Sequence, residues 1–272
     1  MMKKVSGLST DRYPPERPKF KAPLLLVHGL WTGSWCWKTW ATHFCNLGWD
    51  CWAVNFPGRA AKGDDRVLPE LNPERCVADL ARVIRSFSSP PVVVAHDTGA
   101  LVALKVAEET SLAALVLASP PQPGNAKTRK PRVLRLLRLK YLMLIYLGRP
   151  FRIDEKDLQK IILAPLSESV RAQISRQIVS ESSQMIAELF GSRVEIDPNR
   201  LPCPCLVLYG AQDPITPPAS AHELAHWLSA DFKEYRDQGH WLIEYDGKTI
   251  VRDIHRWIIQ KLGEKVLLAD FS

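Results

Sequence analysis

The chain has 272 residues, of which 46% are hydrophobic, and a formal net charge of +7. A chain of this size can bury a substantial core, and α/β domains of this length often fold as one unit. The longest uninterrupted apolar run, Tyr141 to Leu147, is too short for the roughly 30 Å hydrocarbon core of a bilayer, which excludes a transmembrane helix. Six cysteines without a zinc-type double pair, and an N-terminus without an apolar signal segment, predict a reduced, cytoplasmic protein.

The first part of the chain alternates between apolar strands and helical patterns. Residues 1–22 are polar and proline-rich and predict an N-terminal tail. Strands are predicted at 23–29 and 51–56, where short apolar runs end at glycine or proline. Helices are predicted at 37–47 and 73–87, where apolar residues recur at helical spacing.

The same alternation continues, with one interruption, to the C-terminal part. The stretch "PPVVVAHDTGALVALKVAEE" at 90–109 predicts a strand, a sharp turn and a helix. Residues 121–200 break the pattern, and alternation returns over 201–272. Short apolar strands between helices indicate a mostly parallel sheet with helices on both faces. We therefore predict an α/β core formed by 23–120 and 201–272, with 121–200 as a helical cap insertion.

The positive charge is concentrated in the predicted insertion. Nine Lys and Arg residues and no acidic residue lie between Lys127 and Arg152, interleaved with leucines. An ordinary solvated helix face accounts for this pattern, and weak contact of the basic cap with an anionic membrane, or attraction of an anionic substrate, are the alternatives. No nucleic-acid-binding module is recognised, so no nucleic-acid partner is expected. The oligomeric state stays open.

Candidate catalytic residues follow the predicted strands. In "AHDTG" (95–99), Asp97 occupies the place of the nucleophilic serine in a G-x-S-x-G elbow. "GAQDP" places Asp213 after a later strand, and "DQGHW" places His240 after the next. "HGLW" (28–31) follows the first core strand. Open α/β sheets form their sites at these carboxyl ends, so the motifs are expected to meet.

Together, in this order, the four motifs resemble the α/β-hydrolase superfamily over about residues 23–262. The aspartate resembles the epoxide hydrolase and haloalkane dehalogenase branch. This resemblance implies that Asp97 is the nucleophile, His240 the base and Asp213 the residue that orients the base. It also implies an oxyanion hole formed by the backbone N–H groups of Leu30 and Thr98, with no cofactor and no metal.

The chemistry of a carboxylate explains what the aspartate favours. With a reference pKa near 4, Asp97 is ionised at pH 7 and needs no base to become nucleophilic. Attack on an ester carbonyl would give a high-energy mixed anhydride, whereas attack on a saturated carbon gives an ordinary alkyl ester. The predicted substrate is therefore a small apolar epoxide, alkyl halide or strained lactone, and His240 activates the water that hydrolyses the alkyl-enzyme ester.

Two departures from that branch concern the leaving group. Dehalogenases commonly carry Trp after the nucleophile, where this chain has Thr98, and epoxide hydrolases commonly carry proline in the turn that reads "GLWT" here. Trp31 or Trp35 is a candidate indole donor to the leaving group. Tyr141 or Tyr146 is a candidate acid for a ring oxygen. Packing in the core or cap is the alternative for all four.

Other functions stay open at this point. An esterase, lyase or cyclase of the same fold would use Asp97 as a general base, and a ligand-binding protein would have lost catalysis altogether. The segment "HELAH" (222–226) matches a zinc-binding helix motif, but no downstream motif marks the third protein ligand that a catalytic zinc needs. We therefore predict no metal site.

Overall fold

A computed structural model describes residues 2–60, 63–126, 139–191, 193–243 and 247–263. In this part of the chain, eight strands form one sheet in the order β1-β2-β4-β3-β5-β6-β7-β8. β1 and β2 run antiparallel to their neighbours, and the strands from β4 to β8 are parallel. The strands are β1 (Met2–Val5), β2 (Leu8–Tyr13), β3 (Leu24–Val27), β4 (Cys51–Asn55), β5 (Val92–His96), β6 (Ala114–Ala118), β7 (Cys205–Gly210) and β8 (Asp231–Tyr235).

Helices cover both faces of the parallel strands, as the continuous apolar character of those strands predicts. Along β3, Leu24 and Leu26 face α1 and α9, whereas Leu25 and Val27 face α2, α3 and α8. The helices are α1 (Lys38–Asn46), α2 (Pro73–Arg85), α3 (Thr98–Ala107), α4 (Leu139–Tyr146), α5 (Glu155–Ile161), α6 (Glu168–Ser175), α7 (Ser183–Phe190), α8 (Pro218–Trp227) and α9 (Gly247–Leu262). This architecture is the α/β-hydrolase fold, and that prediction is confirmed.

The N-terminal residues differ from the predicted tail. Residues 2–13 form β1 and β2, and β2 pairs with β4 at the edge of the sheet. Ser6 and Gly7 connect the two strands with φ angles of 48° and 94°, the left-handed pair that a two-residue hairpin turn requires. The polar composition of this segment did not indicate strands, because these two strands at the end of the sheet bury few side chains. Leu8 and Thr10 are the two buried residues of β2.

Helices α4 to α7 lie between β6 and β7, within the predicted insertion. Inside it, Phe151 and Glu181 form an isolated antiparallel bridge. The basic residues from Lys127 to Arg138 lie outside the described part of the chain. On α4 and the residue after it, large apolar side chains are exposed, namely Leu139, Leu142, Met143, Tyr146 and Leu147.

Among the described residues, no helix combines the length and apolarity needed to cross a membrane.

Candidate active site

Asp97 stands on a strained turn between β5 and α3. Its φ is 50°, in the left-handed region that non-glycine residues rarely occupy, and its N–H donates to the Ala118 carbonyl at 3.0 Å. The turn is crowded: a Cβ on Gly29 would lie 2.6 Å from Asp97 Oδ2, and one on Gly99 would lie 2.3 Å from the His28 carbonyl oxygen. Glycine at both positions lets the chain after β3 approach the elbow, and the G-x-S-x-G pattern predicts the glycine at position 99.

The two carboxylate oxygens of Asp97 have different surroundings. Oδ2 accepts a hydrogen bond from the Leu30 N–H at 3.0 Å. Oδ1 lies 3.7 Å from His240 Nε2, beyond hydrogen-bonding range, and the side chain is 15% exposed. Thr98 begins α3. Because the first N–H groups of a helix have no acceptor within the helix, the Thr98 N–H has no partner in α3. One oxygen is therefore anchored while the other stays available.

His240 is oriented by Asp213. Nδ1 lies 2.9 Å from Asp213 Oδ2, and because a carboxylate only accepts, Nδ1 carries a proton and Nε2 is the nitrogen that faces Asp97. Asp213 Oδ1 accepts from the N–H groups of Ile215 and Thr216 at 2.7 and 3.0 Å. Burial acts to lower the pKa of His240, but the charge and hydrogen bond of Asp213, together with the Asp97 charge, outweigh burial and raise this pKa.

Two further polar side chains fix the His240 loop. The Ser119 hydroxyl and the His96 ring both donate to the His240 carbonyl, at 2.9 and 3.0 Å. On the opposite side of the elbow, His28 Nε2 accepts from the Phe56 N–H at 3.2 Å. Burial lowers the pKa of His28 to about 3 and that of His96 to about 4. Both rings are therefore neutral, and their hydrogen bonds hold the loops around the elbow.

The four predicted substrate contacts have different outcomes. Trp31 lies in the loop after β3, but its indole N–H donates to the Phe151 carbonyl at 3.2 Å. Trp35 stacks on Trp241 with ring centroids 6.2 Å apart, and its buried indole N–H has no hydrogen-bond partner among the described residues. Trp35 also lines a cavity of about 400 Å³ beside residues 176–180 of the insertion. Of the two tryptophans, only Trp35 has an uncommitted donor.

Neither tyrosine is free to act as an acid in this site. The Tyr141 hydroxyl donates to Asp157 Oδ2 at 2.7 Å and accepts from the Asp154 N–H at 2.9 Å. Tyr146 is 89% exposed. That one of them protonates a ring oxygen stays a prediction, which this arrangement does not favour because one hydroxyl is committed inside the insertion and the other side chain faces solvent.

Two residues next to the site were not predicted from the sequence. Glu181, in the polar run "VSESS", accepts from the Trp31 N–H at 3.1 Å and forms a buried ion pair with Arg59. Ser119 contacts the His240 loop. Its position directly after β6 is the one sequence feature that could have indicated a residue near the site. Glu181 lies 150 residues from Trp31 in sequence, and no local sequence pattern connects the two residues.

No group of three or more metal-binding side chains occurs in the described ranges. In the zinc-like motif on α8, the ring of His222 packs edge-on against Phe232 at 5.0 Å. That contact places His222 against the outer strand β8, away from the elbow.

Comparisons with known proteins agree with the fold. A monoacylglycerol lipase from Paleococcus ferrophilus is 21% identical, with a TM-score of 0.70 over 93% of this chain and 99% of that chain. A putative non-heme bromoperoxidase from Mycobacterium tuberculosis is 18% identical, with a TM-score of 0.72 over 94% of this chain and 97% of that chain. A thermophilic esterase from Thermogutta terrifontis is 18% identical, with a TM-score of 0.72 over 96% of this chain and 98% of that chain. At these identities the likeness establishes the fold. Comparison with curated proteins gives no match. The model of the alpha/beta hydrolase family matches residues 24–252, and the chain belongs to that family.

Proposed function

We propose that the chain is a hydrolase that uses Asp97 as a nucleophile and forms a covalent alkyl-enzyme ester. The observation that carries the proposal is the asymmetric carboxylate at the elbow, with Oδ2 held by Leu30 and Oδ1 open towards His240 Nε2. In the first step, Oδ1 attacks a saturated carbon of the substrate. The leaving group departs with the bonding electrons, and no proton has to be removed from the nucleophile.

The second step hydrolyses the ester. His240 Nε2 takes a proton from water while the water oxygen attacks Cγ of Asp97, and the negative charge develops on Oδ2. The Leu30 N–H already contacts this oxygen at 3.0 Å, and the Thr98 N–H at the start of α3 is the second proposed donor. As the intermediate collapses, His240 returns its proton to the departing Oδ1, which leaves as the alcohol, and the carboxylic acid that holds the water oxygen then loses its proton to solvent.

The leaving group is proposed to be a halide or a ring oxygen of a small apolar substrate: an alkyl halide, an epoxide or a strained lactone. Trp35 is the proposed donor to it, since its indole N–H is uncommitted among the described residues. Two similar structures are described as a lipase and an esterase. For this chain, ester cleavage by Asp97 would require a mixed anhydride, which makes a saturated carbon the favoured electrophile.

Trapping the ester tests the proposal. The His240→Ala variant is incubated with an alkyl bromide, a terminal epoxide and a β-lactone, and its intact mass is measured before peptide mapping. We expect a stable adduct on Asp97, because removal of the base blocks the second step. The Asp97→Ala/His240→Ala double variant is the matched control and gains no mass. No adduct, while the unmutated protein turns over one of these compounds, would favour Asp97 as a general base.

A further inference from the structure

We propose that Glu181 is a positioning residue, which fixes the Leu30–Trp31 peptide from the insertion and so sets the direction of the Leu30 N–H. This inference rests on the proposed function, because it assigns the donor a role in the hydrolytic step. Glu181 does not touch the reacting atoms. It acts through the loop between β3 and α1.

All three hydrogen-bonding groups of Trp31 bind residues of the insertion. Its N–H donates to Glu181 Oε2 at 3.1 Å, its carbonyl accepts from the Val179 N–H at 2.9 Å, and its indole N–H donates to the Phe151 carbonyl at 3.2 Å. Phe151 and Glu181 are themselves paired as an antiparallel bridge. The loop that carries the Leu30 donor is thus attached to one small unit of the insertion.

The conformation of Trp31 requires such an attachment. Its φ is 57°, in the left-handed region that a large L-residue adopts only where its surroundings impose it. Leu30 lies between two anchors, since its own N–H contacts Asp97 and the following peptide N–H contacts Glu181. Relaxation of Trp31 would rotate the Leu30–Trp31 peptide and turn the adjacent donor away from Oδ2.

Glu181 is held on its other side by a buried cation. Its side chain and that of Arg59 are each 2% exposed and form an ion pair, and Arg59 also donates to the Ser180 carbonyl. Burial lowers the pKa of Arg59 to about 9, so the guanidinium is still charged at neutral pH. The second Glu181 oxygen, Oε1, accepts from the Ser182 N–H at 2.7 Å. The carboxylate therefore has a single defined orientation towards Trp31.

A donor to Oδ2 affects the two chemical steps unequally. In the alkylation step, charge leaves the Asp97 carboxylate, so the Leu30 N–H is not needed to stabilise new charge there. In the hydrolytic step, a full negative charge forms on Oδ2, and a preorganised donor lowers that barrier. Loss of the Glu181 contact should therefore slow hydrolysis and leave alkylation nearly unchanged.

The test compares the two steps in the variant Glu181→Gln and in the double variant Arg59→Met/Glu181→Leu. The double variant guards against unfolding, because apolar residues can replace a buried ion pair without leaving an unpaired charge. A substrate found by the trapping experiment is mixed with each protein, and the alkylated fraction is followed by intact mass. We expect the hydrolysis rate to fall by about tenfold or more. This loss is smaller than the roughly 10²- to 10³-fold loss that follows complete removal of one oxyanion-hole donor. The alkylated protein should accumulate although His240 is intact.

Ser182→Ala is the matched control. It removes the side-chain cap of α7 in the residue next to Glu181 but leaves the contacts of Trp31 intact, so no adduct should accumulate. Equal slowing of both steps in the Glu181 variants, with an adduct still trapped by His240→Ala, would overturn the positioning role alone. No adduct in any variant would overturn the proposed function as well.

Discussion

The substitution Gly29→Ala should disable the elbow without unfolding the protein. The φ of Gly29 lies outside the left-handed region, so alanine meets no backbone penalty at this position. Its new Cβ would lie 2.6 Å from both Asp97 Cβ and Asp97 Oδ2, whereas ordinary contacts begin at 3.4 Å. The Asp97 side chain must therefore move by roughly 1 Å, a displacement that can cost about 100-fold in rate.

The Leu30 hydrogen bond gives a separate estimate of similar magnitude for the hydrolytic step, in which charge forms on Oδ2. That bond links a backbone N–H to an ionised carboxylate, an interaction of about 1.5–3 kcal/mol, and its loss converts to a factor of roughly 10 to 150. Overpacking should cost only about 1–3 kcal/mol of the free energy of unfolding. We therefore expect a rate loss of about two orders of magnitude in a protein that is still folded.

The assay measures the alkylation rate by intact mass and the stability by urea denaturation. Gly148→Ala is the control, because it places a Cβ in open space at a φ of 64° and strains the backbone without touching the elbow. An unchanged alkylation rate in Gly29→Ala, or an equal rate loss in Gly148→Ala, would refute the steric reasoning.

Three further predictions concern stability, the leaving group and the exposed face of α4. Between pH 6.5 and pH 5 we expect the free energy of unfolding to fall by about 1.5 kcal/mol for each of His28 and His96. Their folded pKa values of about 3 and about 4 lie below the unfolded value near 6.5, so only the unfolded state gains protons over this pH range. A urea denaturation midpoint that does not change between the two pH values would contradict the predicted loss of stability. Trp35→Phe should slow single-turnover alkylation by an alkyl bromide about tenfold through loss of one donor, and an unchanged rate would remove Trp35 from that role. If the exposed face of α4 contacts an anionic membrane, as we propose, the chain should sediment more with phosphatidylserine vesicles than with neutral ones, and Leu142→Asp/Tyr146→Asp should reduce this binding. No sedimentation with phosphatidylserine vesicles would contradict membrane contact, and equal sedimentation with both lipids would contradict the preference for anionic lipid.

The elements of the core were predictable because their signals are local. The β-branched run before "HDTG" and the small residues around Asp97 are sufficient to predict a strand, a tight turn and a helix. The positions of Asp213 and His240 directly after strands β7 and β8 similarly follow from short apolar runs that end in polar loops. Because parallel strands align their carboxyl ends, local patterns were enough to bring these three side chains together.

What the sequence missed depends on contacts between distant segments. Strands β1 and β2, at one end of the sheet, bury few side chains, so their alternation was weak and their composition resembled that of a tail. The hydroxyl of Tyr141 donates a hydrogen bond to Asp157 within the insertion. The apolar pattern around Tyr141 did not indicate this contact. Glu181 binds a loop 150 residues away, and its charge is balanced by Arg59 from another segment. Such pairs become visible only when the chain is folded.

The fate of the water oxygen tests most directly whether Asp97 is the nucleophile. A single turnover is run in H₂¹⁸O, with enzyme in excess over a substrate identified by trapping, and both the alcohol and the peptide that contains Asp97 are analysed by mass spectrometry. If water attacks Cγ of an alkyl-enzyme ester, the alcohol carries ordinary oxygen and the label appears in Asp97. Label in the alcohol, with an unlabelled Asp97 peptide, would show that water attacks the substrate directly and would contradict the nucleophilic mechanism.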